Sequence, residues 1–177
     1  GRVTAEAISR ADFKRAEKEC QFIAQEGIRV AAWSDSQYPE RLKHCDDSPL
    51  LIYARGNFDW NPAKAISIVG TRKADFYGKH FCEMLIAGLT QYQPTIISGL
   101  AHGIDGAAHM AAVEQGLPTI ACVAHGLERI YPPVHRTLAS RMEKKGGIVS
   151  EFMSHSEIAP EMFPMRNRII AGMADCT

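Results

Sequence analysis

TIISGLAHGIDGAAH, residues 95–109, is the stretch from which the rest of the chain is read. Thr95-Ile96-Ile97 is a short β-branched run, and Ser98-Gly99 follows it at once. Gly103 and Gly106 lie where the segment turns into alanine-rich helix, with Ala107, Ala108, Ala111 and Ala112. Strand, glycine turn and helix N-terminus in that order predict an anion site. Backbone N–H groups point outward there, the helix dipole favours negative charge, and glycine admits a ligand closely. A phosphate is the expected client, and the stretch alone does not name which.

Outward from this stretch the rhythm repeats. Ala65–Val69 predicts a buried strand, Gly70-Thr71-Arg72 a turn, and Phe76–Gln91 a helix with Phe81, Leu85 and Leu89 on one face. Ile104–Gln115 is the next helix, ended by Gly116. Pro118–Ala124 predicts a third strand and His125-Gly126 a turn. Pro133–Lys145 predicts a helix stopped by Gly146-Gly147, Ile148–Ser150 a fourth strand, and Met165–Gly172 a last helix. Strands alternating with helices of this length predict an α/β fold with a parallel sheet and right-handed crossovers. The chain stops at Ala174–Thr177, where a further strand is due. The sheet is therefore expected to be incomplete at its C-terminus, and the sequence reads as part of a longer chain.

Upstream, residues 4–26 predict a packed helix that starts or breaks near Ser9, with Gly27 as its stop. Ile28–Trp33 and Leu50–Tyr53 are strand candidates, with a short helix opened by Tyr38-Pro39 between them. Trp60-Asn61-Pro62 breaks the pattern and marks the entry to the main domain. Three parts follow: residues 1–27, too little for a domain and either the tail of something or a lead-in, 28–62 ahead of the main domain, and 63–177 as the α/β core.

Composition is that of a soluble globular protein, with 46% hydrophobic and 23% charged residues. No apolar run approaches the ~18–20 residues that span a bilayer, and GRVTAEAISR carries no signal-peptide core, so no membrane role and a cytoplasmic location are expected. Cys20, Cys45, Cys82, Cys122 and Cys176 are scattered without a C-x-x-C pair, which predicts reduced thiols and no zinc site. Residues 1–62 hold nine basic and ten acidic side chains, and residues 63–177 hold eleven and ten. A nucleic-acid partner would have to be met by a local patch.

In an open parallel sheet the ligand sits at the carboxyl ends of the strands. Four strand ends then share one rim: Gly70-Thr71-Arg72, Ser98 to Gly103, His125 to Arg129, and Ser150-Glu151, with Arg166-Asn167-Arg168 near the start of the last helix. Four arginines and two glycine turns suit a phosphodiester backbone or a nucleotide. Asp105 and His109, four apart, are expected to hydrogen-bond on one helix face and stiffen the turn. His102, His125 and His135 lack metal-ligand spacing, so no metal is expected. Ser98 lacks the G-x-S-x-G elbow, and neither a P-loop nor a G-x-G-x-x-G follows the first strand, so no bound cofactor is expected.

The motif set is similar to that of the DprA family, also called Smf. IVGTR (68–72), YG (77–78), SGLAHGIDGAAH (98–109), GLERIYP (126–132), SE (150–151) and FPMRNRIIAGM (163–173) stand in order, with YPERL and SPLLIYARGN upstream. The resemblance covers about residues 28–177. It implies an extended Rossmann-like sheet with residues 28–62 as its lead-in segment, a small helical domain in front of which residues 1–27 would be the end, and a homodimer in the full-length protein. The implied function is not enzymatic. Such a protein binds single-stranded DNA in natural transformation, protects it, and promotes loading of the RecA recombinase past single-strand binding protein. By motif, Gly70, Thr71 and Arg72 would grip phosphate, and Ser98, Gly99, His102 and Gly103 would form a second cradle. Gly126, Arg129 and Tyr131 would lie in a third loop, and Arg166, Asn167 and Arg168 in the RNR element. Tyr131 or Phe163 would stack bases irrespective of sequence. His102 stands where the family more often has arginine, Glu128 where it more often has aspartate, and His135 where it tends to have asparagine.

Two other classes compete with this reading. A nucleotide-processing enzyme of the lysine-decarboxylase-like phosphoribohydrolase type would carry a P-G-G-x-G-T-x-x-E loop, which is absent, leaving Glu151 as the only rim acid after a strand. Glu151 is expected instead to accept hydrogen bonds from neighbouring loop N–H groups. A nucleotide-sensing module would use the same cradle without DNA, and the RNR element weighs against it.

Overall fold

The computed structural model describes residues 12–177. Helix α1 spans Phe13–Glu26, capped by the Asp12 carboxylate accepting from Arg15 N–H at 3.0 Å and ended by Gly27 at φ 62°. The expected start or break near Ser9 lies outside the described residues. Strand β1 (Arg29–Ala32), helix α2 (Glu40–Lys43) and strand β2 (Leu51–Gly56) follow, then β3 (Ala65–Ser67) and α3 (Phe76–Leu89). The chain continues through β4 (Thr95–Ser98), α4 (Ile104–Glu114), β5 (Thr119–Cys122), α5 (Arg136–Met142), β6 (Gly147–Ser150) and α6 (Met162–Gly172). The helix expected from Pro133 opens as a 3-10 turn, Pro133–His135, before α5 begins. Helix α6 starts earlier than expected because Pro164 falls in its first turn, where no intrahelical donor is required.

The six strands form one sheet in the order β1-β2-β6-β5-β4-β3. β3, β4, β5 and β6 are parallel, as the alternating pattern predicts. β1 and β2 are antiparallel to each other, and β2 is antiparallel to β6. The expected parallel sheet is therefore a mixed one. Its lead-in segment extends the same sheet through the pairs Tyr53↔Ser150 and Ala54↔Val149.

Successive strand residues point to opposite faces. Ile97, Ile120, Cys122 and Val149 pack with Ile169, Ile170 and Met173 of α6 on one face. Ile148, Ala121 and Ile96 face the side covered by α3, α4 and α5, with Leu138, Ala108 and Ile86. The crossovers from β3 to β6 all run in one direction, so right-handed connections put their helices on one side. At the β3 edge, Asp175 N–H donates to Ala65 O (2.8 Å), and Ser67 N–H donates to Cys176 O (2.9 Å). The Asp175 carboxylate accepts from Arg41 and from Ala65 N–H, which hold it below the ordinary range.

Candidate functional site

The carboxyl ends of β3, β4, β5 and β6 open on one edge, and the glycine turns there lie against one another. Thr71 O accepts from Ile104 N–H at 3.1 Å, and Ala101 O accepts from Gly106 N–H at 3.0 Å. These are first-turn donors of α4, which the sequence offers to an anion. The chain itself uses them. Gly103 has φ 77°, and a side chain there would put its Cβ 2.1 Å from Thr71 O. A Cβ on Gly70 would lie 2.6 Å from the Ile104 side chain. Both glycines therefore let neighbouring chain approach closely, while Gly70 itself stays exposed.

An anion is nonetheless present inside the turns. The Asp105 carboxylate is buried and accepts from Ala101 N–H, and Gly70 N–H also faces it. Burial raises its pKa, against the pull of Arg166 and of those backbone donors. Arg166 is only 4% exposed; its guanidinium donates to Gly99 O at 2.6 Å and to Cys122 O. It ties the ends of β4 and β5 together, and a Cβ on Gly99 would meet it at 2.6 Å. Burial lowers the pKa of Arg166. The Ser98 hydroxyl is buried and donates to Ile68 O at 2.6 Å. Ser98, Gly99 and Arg166 thus tie the cradle together, and Gly99 and Arg166 also line the hollow beside Arg72.

His109 does not pair with Asp105. It is fully buried, and its Nδ1–H donates to Thr119 Oγ1 at 2.7 Å, since that hydroxyl gives its own proton to Ile96 O. Burial pushes the His109 pKa down to about 3.

Two more expected arginines are held by acids. Arg168 bonds Glu151 and lies 3.2 Å from Asp47, so Glu151 serves Arg168 instead of loop N–H groups. Arg129 donates to Glu128 at 2.6 Å and to Ser156 O at 3.0 Å, with its side chain still partly open. The RNR element is consequently divided: Arg166 is buried, Asn167 is exposed, and Arg168 is neutralised.

Arg72 differs from all of these. It is exposed, and among the described residues it has no carboxylate partner. Its guanidinium lies over the Phe163 ring at 5.1 Å, and Phe163 meets Tyr131 at 6.2 Å between centroids. Tyr131 is 49% exposed. Thr71 and Lys73 adjoin them, with Thr71 Oγ1 accepting from Lys73 N–H at 3.1 Å. Arg72 and Phe163 divide two hollows. One, of about 50 Å³, is walled by Tyr131, His102, Ala101 and Val123, and the other, of about 180 Å³, by Gly70, Asp105, Pro164 and Asn167. His102 is exposed with its ring 5.6 Å from that of His135, whose Nδ1–H donates to Leu100 O at 2.8 Å.

One member of the site is placed on the rim by the sequence but given no role by it. His125 lies buried under the third turn, where its Nδ1–H donates to Gly126 O (2.8 Å) and its Nε2 accepts from Tyr131 N–H (3.2 Å). Burial lowers its pKa and keeps the neutral tautomer that this pair of bonds requires. Gly126 is itself buried, with Met153 O 2.5 Å from where a Cβ would stand.

The family model described as DNA recombination-mediator protein A matches residues 29–177. The chain belongs to that family. Among its relatives, DNA processing protein DprA of Bacillus subtilis is 36% identical over 152 residues, covering 85% of this chain and 51% of that protein. The DprA structure from Streptococcus pneumoniae superposes with a TM-score of 0.83 at 32% identity, over 96% of this chain and 58% of that one. The DprA structure from Helicobacter pylori, described in terms of its single-stranded DNA binding mode, superposes with a TM-score of 0.70 at 24% identity. That likeness covers 83% of this chain and 66% of the other, and it bears on the fold. The chain spans about half the length of the curated DprA relatives it matches. No described helix is long and apolar enough to cross a membrane.

Proposed function

We propose that this chain binds single-stranded DNA along the strand-end rim, without catalysing a reaction. Arg72 would fork onto a phosphate, with Lys73, Thr71 and Asn167 beside it, and Tyr131 and Phe163 would stack bases of any sequence. The observation that carries this reading is Arg72 itself: an exposed guanidinium, unpaired among the described residues and braced on an aromatic ring. Single strands fit better than duplex because stacking needs unpaired bases. In the full-length protein, we assign to this rim the protection of incoming strands and the loading of RecA past single-strand binding protein, by a homodimer in the cytoplasm. Family membership supports the recombination role, and the Helicobacter pylori neighbour's description supports the choice of strand. Pairing of Glu151 with Arg168 disfavours a hydrolytic acid on the rim.

Mobility shifts with single- and double-stranded oligonucleotides across a salt series test the reading. Preferential, salt-sensitive binding of the single strand is expected. Equal affinity for both forms would overturn it.

A further inference from the structure

Only one residue of helix α1 is buried, and it is a glutamate. Glu19 is 6% exposed, while Phe22 and Ile23 are half-buried against the apolar cluster around Tyr53 and Leu127. The Glu19 carboxylate accepts from Ser154 N–H at 2.9 and 3.0 Å and from the Ser154 hydroxyl. The next residue, His155, has φ 56°, a conformation that side chains other than glycine rarely adopt, and its ring packs edge-on to Phe22 at 6.1 Å. The helix therefore grips a loop whose backbone is held in an uncommon state.

That loop supports the third rim turn from behind. Ser156 O accepts from Arg129 Nη2 at 3.0 Å, and a Cβ on Gly126 would lie 2.7 Å from Ser154 Cα. Backbone and guanidinium of the turn thus rest on residues 153–156, and Tyr131 N–H is tied to the same turn through His125.

We propose that α1 is a latch on the DNA rim. Glu19 is a positioning residue: through Ser154 it fixes the 153–156 loop, and through that loop the placement of Arg129 and Tyr131. The idea rests on the rim's reading as a single-stranded DNA site, but its mechanical half stands apart from DNA.

Two measurements on Glu19→Ala test it. Trypsin cleavage after Arg129 should accelerate by about tenfold without DNA, because a turn that loses its backing opens more often. Affinity for a single strand should fall about three- to tenfold, the effect of a rim whose binding-competent placement is populated about a third to a tenth of the time. Combined with Arg129→Ala and Tyr131→Ala, the change should add no further loss, whereas with Arg72→Ala the losses should multiply. If Glu19→Ala fails to fold, Glu19→Gln and Ser154→Ala carry the same comparison with smaller shifts. Unchanged cleavage after Arg129 would overturn the latch. So would losses that multiply with those of Arg129→Ala and Tyr131→Ala. If the unaltered chain binds no single strand while cleavage still accelerates, the DNA reading fails and the mechanical coupling stands.

Discussion

Two regions a few residues apart at the same strand ends have opposite characters. The inner cradle is built from Gly70, Ser98, Gly99 and Gly103, and its polar groups face each other: Asp105 takes backbone N–H groups, and Arg166 takes the carbonyls of Gly99 and Cys122. The outer rim is Arg72, Phe163 and Tyr131, exposed or half-exposed, with Arg72 over the Phe163 ring and Tyr131 tilted against it. The inner region supplies its own anion and its own cation, so it fixes the turns. The outer region leaves a cation and aromatic faces open, so it can meet a ligand. Glycines at strand ends here let chain approach chain, which shapes the platform on which a few exposed groups stand.

Arg166→Ala should give the largest effect, because it strands buried carbonyls and the Asp105 charge. A loss on the order of 3–5 kcal/mol is expected for breaking a buried charged set, read as a fall in thermal or urea midpoint. A stable variant that simply lost DNA affinity would move Arg166 from the inner region to the outer one.

Acid should act next, again on the inner region. His109 has its folded pKa depressed to about 3 from an ordinary 6.5, so the unfolded chain binds more protons between those values. Its contribution is complete above about pH 6.5 and is lost as pH falls through the window toward 3. His125, shifted in the same direction, should add to the loss. Urea midpoints measured from pH 7 down to pH 4 should fall, and His109→Asn should flatten the decline. A midpoint independent of pH would contradict the neutral buried imidazoles.

On the outer region, Arg72→Ala should weaken single-strand binding by about tenfold while stability changes by less than about 0.5 kcal/mol. The slope of log affinity against log salt should shrink by about 0.7, the share of one phosphate on a single strand. Unaltered slope would remove Arg72 from the phosphate path. Smallest is His102→Arg, which puts a permanent charge beside Tyr131 and should raise affinity by about threefold with little change in stability. A fall in affinity would mean that the His102 ring packs against the strand in a way the longer side chain cannot.

Much of the core is legible in the sequence because periodicity reports burial. The short buried runs at 65–67, 95–98 and 119–122 and the helices between them fall within a few residues of where the pattern puts them. Direction is harder to read. Ile28–Trp33 and Leu50–Tyr53 are recognisable as strands, but nothing in their pattern says that β2 runs antiparallel onto β6 and β1 antiparallel onto β2. Strand propensity describes a half-buried pleat and carries no sign for pairing.

The site divides in the same way. By itself the sequence determined the alternation, the turns at Gly70, Gly99 and Gly126, and which residues reach one rim, because strand ends in a parallel sheet share an edge. Only the tertiary structure decided which of them are open to a ligand. Arg72, Arg129, Arg166 and Arg168 look alike in sequence, and their fates depend on Phe163, Glu128, Gly99 and Glu151 or Asp47. Those partners come from distant segments or from side-chain geometry, and a charge becomes free or spent only when the fold has brought its partner to it.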